Sequence, residues 1–189
     1  MRRLSEQSLL NAALHYLRRY SASRKGLTQV LERKVKRYQQ RTDADVSSAA
    51  PLIAKVVERM VSAGYIDDVR FAEGLTASWL RQGKSTRLIR LKLIQKGVEP
   101  ELAQSAVAAS PETELEAART LVRKRKLGVD PSRRQRDLAC LMRAGFRFET
   151  AKCALSGVAT STATPVVARS GASRSLAHRG SDGRDTSDD

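Results

Sequence analysis

A self-similarity at a constant offset of 48 constrains this chain more than any other feature. KLIQKGVEPELAQSAV (Lys92–Val107) lines up with CLMRAGFRFETAKCAL (Cys140–Leu155). Leu93 pairs with Leu141, Gly97 with Gly145, Ala103 with Ala151, and Val107 with Leu155. Each copy follows a basic helix-turn segment. The first third, with LTQVLERKVKRY and then PLIAKVVERMVSAG, reads as a looser copy. A unit this short cannot bury its apolar face alone. It must stack on its neighbours, which gives an elongated, curved array.

Inside the units, apolar residues recur at three and four positions, the period of a helix with one buried face. Leu10, Ala13, Leu14 and Leu17 form the first stripe, and Leu27, Leu31, Val35 and Tyr38 the second. Ile53, Val56, Val57 and Met60 follow, then Phe71, Leu75 and Trp79, then Leu88, Leu91 and Leu93. Four more stripes run through Leu102, Leu115, Leu138 and Ala151. No segment shows the alternation of a strand. The fold class is all-α, with about nine helices in three tandem three-helix repeats. The repeats span residues 1–64, with an insertion at 39–48, then 65–110 and 111–156. Residues 157–189 are rich in Ser, Thr, Gly and Asp and have no period, the composition of a disordered tail. Gly64, Gly97 and Gly145 each stand just past a helical stripe, where the left-handed conformation closes a helix end.

Charge narrows the function classes. The formal net charge is +15, and the tail's four arginines and four aspartates cancel, so the excess lies in residues 1–156. A body this basic favours a polyanionic partner such as DNA, RNA or a nucleoprotein filament. No run of about 20 apolar residues could span a bilayer, and the N-terminal stretch lacks a signal-peptide core. The expectation is a cytoplasmic monomer with no membrane contact. Cys140 and Cys153 sit at helical spacing among apolar residues and form no metal-binding pair, while His15 and His178 are far apart. No catalytic residue, metal ligand or cofactor site is expected. RQGKST contains Gly-Lys-Ser but lacks the upstream glycine and the preceding strand of a phosphate-binding loop.

GYIDDVRFAEGLTASWL (Gly64–Leu80) sets two carboxylates side by side. As helix N-cap, Asp67 accepts from free backbone N–H groups, and Asp68 meets the positive end of the helix dipole. Ile66 before the cap and Phe71 inside the helix are spaced for a hydrophobic staple. Neighbouring side chains in a first turn point apart, so they do not converge on a substrate as a catalytic pair must. Phe71 and Trp79 share a helix face and read as core. With aromatics only 4% of the chain, a base-stacking platform is not expected.

The basic residues are the candidate binding surface. The first unit offers Arg24, Lys25, Arg33, Lys34 and Arg37, with Arg33 and Arg37 on one helix face. The second offers Arg81, Lys84, Arg87 and Arg90, the last two i,i+3 neighbours. The third offers Arg123, Lys124, Arg125 and Lys126, then Arg133 and Arg134. Three such clusters along an array could line a groove or follow a phosphate backbone. They carry no base-reading logic, so any contact with single- or double-stranded DNA should be sequence-tolerant.

GYIDDVRFA followed by KSTRLIRLKLIQKGVEPELAQSAV resembles the signature of RecX-type regulators of the RecA recombinase, and LACLMRAGFRFETAKCAL is similar to that family's third repeat. Gly64, Ile66, Asp67, Asp68, Phe71, Ala72, Gly97 and Gly145 carry the resemblance. It covers residues 5–156, departing at YQQRTDADVSS in the first unit and again after Gly157. It implies a modular helical protein that binds RecA filaments and inhibits or modulates RecA's ATPase, strand-exchange and coprotease activities in recombinational repair and the SOS response. Without the resemblance, a general basic helical DNA- or RNA-binding protein is the other reading.

Overall fold

A computed structural model describes residues 5–42, 49–108 and 110–159. Among them are nine α-helices and no strand: α1 (Glu6–Leu17), α2 (Arg24–Thr42), α3 (Ala49–Ser62), α4 (Asp68–Arg81), α5 (Thr86–Gln95), α6 (Pro100–Ala106), α7 (Pro111–Arg125), α8 (Arg134–Arg143) and α9 (Phe148–Ala159). A 3₁₀ turn, Pro131–Arg133, leads into α8. Helices pack in threes, α1 to α3, α4 to α6 and α7 to α9, and α4 also packs on α7.

Each trio has its own core. Leu9, Leu27, Leu31 and Val56 are fully buried in the first, Ile89 and Leu93 in the second, and Leu141 in the third. The offset-48 pairs occupy equivalent places: Leu93 and Leu141 are both fully buried, as are Ala103 and Ala151. The repeat in the sequence is thus a repeat of core positions. The α5 stripe is shifted from expectation. Ile89 and Leu93, one turn apart, face the core, and Leu91 is left 48% exposed.

The Asp67 cap is present, its Oδ1 accepting from the N–H groups of Val69 and Arg70 at 2.9 and 3.0 Å. The staple is not. Ile66 is buried in the first core, while Phe71 packs on the second, so the joint pulls the pair apart. α2 runs without a break to Thr42, carrying the start of the expected insertion as helix. Residues 43–48 of that insertion lie outside the described residues, as does the tail from residue 160. α9 itself continues to Ala159, past the expected start of the tail.

Successive units meet through one repeated device. Ser23 caps α2, accepting from the Gly26 N–H at 3.0 Å, and its hydroxyl donates across the joint to the Lys96 carbonyl at 2.6 Å. Ser85 caps α5 from its Oγ, accepting from Leu88 N–H at 3.3 Å, and donates to the Ala144 carbonyl at 2.7 Å. Both serines are fully buried. The residue after each acceptor is a left-handed glycine, Gly97 at φ +86° and Gly145 at φ +94°. A Cβ there would come within 2.8 Å of the Lys25 Cβ or 2.6 Å of the Ser85 Oγ, so these glycines serve docking as well as helix closure. In the last unit the same repeat position is Arg133, which makes no side-chain cap.

Candidate functional site

The basic clusters do not form one surface, because in each unit the fold divides them. In the second unit, Lys84 parts from Arg87 and Arg90. Its Nζ donates to Gln82 Oε1 at 2.6 Å and stands 5.2 Å from the centroid of the Trp79 ring. Lys124 reaches the same turn from the third unit, donating to the Gln82 carbonyl at 2.9 Å. Burial, and then the like charges of Lys92 and Lys124, hold the Lys84 ammonium below the usual lysine value. This is a patch of mutually repelling cations, and a bound anion would relieve it. Trp79 packs on the second core, as expected, and also gives this patch its aromatic face.

Arg87 and Arg90 turn the other way, into a cleft of about 390 Å³ between the second and third units. Arg147, directly after the Gly145–Phe146 turn, lines it from the opposite side. Arg90 Nη1 donates to Gln104 Oε1 at 2.7 Å, which orients one guanidinium. Glu114, also in the lining, accepts from the Thr86 hydroxyl at 3.0 Å. Three guanidiniums around one small cleft can take a phosphate or carboxylate in bidentate geometry. Arg147 is the site residue that sequence reasoning missed. Its repeat position gave no signal, since the offset of 48 puts it opposite Glu99, and the equivalent serines Ser23 and Ser85 put Arg87 opposite Lys25 of the first unit. The first joint therefore carries the same scaffold without the arginines.

The other candidates are dispersed. Arg24 pairs with Glu58 at 3.1 Å on the surface, and Lys25 packs against Gly97. Arg37 Nε donates to the Arg33 carbonyl at 3.3 Å, and Lys34 and Arg37 line a cleft between α1 and α2 that Arg33 does not join. Arg81 is exposed in the last turn of α4. Arg123 bonds Thr120 at 3.0 Å, Arg125 lies 3.1 Å from Cys140 Sγ, and Lys126 takes the left-handed C-cap of α7. Arg133 pairs with Asp130 at 3.4 Å and Arg134 reaches Ser156 at 3.3 Å. Among the described residues no group of three or more His, Cys, Asp or Glu could hold a metal ion, and no helix is long and apolar enough to cross a membrane.

Comparison with known proteins accords with this architecture. Residues 67–107 match the family model described as RecX, second three-helix domain. The chain is 38% identical over 160 residues to the regulatory protein RecX of Myxococcus xanthus, covering 80% of this chain and 86% of that one. It is also 38% identical over 109 residues to the regulatory protein RecX of Trichlorobacter lovleyi, covering 53% and 71%. In fold it is similar to the crystal structure of RecX from Lactobacillus salivarius, with a TM-score of 0.63 at 19% identity over 82% of this chain and 97% of that one.

Proposed function

The chain belongs to the RecX family of regulatory proteins, and from that membership we propose that it binds the RecA nucleoprotein filament and restrains RecA's ATPase, strand-exchange and coprotease activities. The reading is of a non-enzymatic monomer acting in the cytoplasm by occupancy alone. One observation carries it beyond the family name. The segment that matches the family model contributes Arg87 and Arg90 to a cleft completed by Arg147 of the next unit. A cleft built across a joint exists only when two units are docked. It suits an anionic group on an extended partner better than a free small molecule, because it opens at a joint within a stacked array whose body carries the whole net charge of +15.

The test is RecA's DNA-dependent ATPase with the protein titrated from substoichiometric to equimolar levels, beside an Arg87→Glu/Arg90→Glu double variant. Inhibition by the wild type, weakened in the double variant with helix content retained, is the expected outcome. No inhibition together with no binding to the filament would sink the reading. The net charge of +15 also favours a plainer alternative, sequence-tolerant binding to DNA without RecA. That alternative loses if RecA-coated DNA is bound tightly and bare DNA weakly at the same salt.

A further inference from the structure

The first unit holds a second basic cleft, between α1 and α2, and its walls differ in kind from those of the arginine cleft. It measures about 980 Å³. Lys34, Arg37, Tyr38 and Arg41 line it from α2. Their spacing puts all four on one helix face. His15, Tyr16, Arg19 and Tyr20 close it from the end of α1. None of the described lining residues is acidic. Glu6, the carboxylate of α1, is drawn to the opposite face by Lys55 at 2.7 Å and Arg59 at 3.9 Å.

Aromatic rings are scarce in this chain, yet three of its four tyrosines meet in this one cleft. Tyr16 packs against the first core, and its ring centroid is 5.2 Å from that of Tyr20 at an interplanar angle of 37°. Tyr20 is 58% exposed. A ring anchored in the core thus props a ring presented to solvent, with cations on the facing helix. Cations alone would serve any polyanion. Cations beside a supported, exposed ring match the requirements of a nucleic acid whose bases are free to stack. A duplex hides its base faces, and an acidic peptide has none to offer.

We propose that the α1–α2 cleft binds single-stranded nucleic acid, with Arg19, Lys34, Arg37 and Arg41 on phosphates and Tyr20, propped by Tyr16, stacked on a base. This is a second contact, separate from the arginine cleft, and it does not rest on the RecA reading because it requires no filament. A protein with both would hold a strand at one end and an anionic partner surface further along.

The probe is a fluorescein-labelled oligothymidine, read by anisotropy over a salt series with the full-length chain. Tyr20→Ala is expected to weaken binding on the order of tenfold with the salt slope unchanged. Tyr20→Phe keeps the ring and should bind as wild type. Lys34→Glu/Arg37→Glu should weaken binding and flatten the log–log salt slope by about 0.7 for each phosphate no longer neutralised. A duplex of equal length should bind less tightly and ignore the Tyr20 change. Far-UV circular dichroism checks that each variant is folded. Wild-type affinity in Tyr20→Ala, or an equal loss for the duplex, would overturn the proposal. So would displacement of the oligonucleotide by polyglutamate as effectively as by unlabelled oligothymidine, which would make the cleft a site for acidic protein segments.

Discussion

Asp67 and Asp68 are neighbours that cap two different helices. Asp67 closes the start of its own helix, α4. Asp68 Oδ1 accepts from the Arg24 N–H at 2.8 Å, at the start of α2 in the previous unit. Asp67→Ala should cost about 1 kcal/mol in urea denaturation, the usual loss for an N-cap. Asp68→Ala should cost a similar amount while loosening the joint, visible as faster amide exchange at the start of α2. Thr76 poses the opposite case: it is buried, and its hydroxyl finds no partner among the described residues. Thr76→Val removes an unsatisfied donor at nearly constant shape, so stability should hold or rise by about 1 kcal/mol in the same measurement. Hydrogen bonds from the Ser132 side chain, then from its backbone N–H, hold the Asp130 carboxyl below its usual 3.8. A depressed carboxyl pKa contributes stability above the unfolded value and loses it as pH falls through the folded value. The melting-temperature gap between wild type and Asp130→Asn should therefore be widest near neutrality and close below the ordinary aspartate range. Asp67 was legible as a cap because its partners are two and three residues away. Asp68's partner is 44 residues away, and no local pattern reports it.

At the scale of elements, the joints decide how the helices sit. The glycines that end α5 and α8 were legible from their position after an apolar stripe. The serines that dock onto them drew no notice in the sequence, because their bonds across the joints span 73 and 59 residues. Ser85→Ala would leave the Ala144 carbonyl without its donor and uncap α5, a loss of roughly 1–3 kcal/mol. Gly145→Ala meets both a positive φ and the Ser85 hydroxyl, so it should destabilise at least as much. Denaturation with limited proteolysis would show both variants cut more readily at the α4–α5 turn. The α5 stripe shows why Leu91 misled. Leu88, Leu91 and Leu93 cannot all face one core on a helix, and the docking of α4 and α6 selects the face of Ile89 and Leu93.

The molecule as a whole is three small cores in series, and stability should be correspondingly local. Leu141→Ala, at a fully buried site, should cost about 2–5 kcal/mol. Hydrogen exchange should show protection falling in α7 to α9 and persisting in α1 to α3. Equal loss in the first unit would mean one cooperative core. The sequence by itself determined the all-helical class, because helical period and turn glycines are written in local order, and the family, because the motifs from Gly64 to Val107 resemble its signature. It also determined that the body is basic. Only the tertiary structure decided which cations lie together. It split Lys84 from Arg87, brought Arg147 across a joint to Arg87 and Arg90, and gathered Tyr16, Tyr20 and Tyr38 around Lys34, Arg37 and Arg41. The physical reason is that a helix face is assigned by what it buries. The charges follow wherever the buried face leaves them, and the neighbours that complete a cleft come from another helix far along the chain.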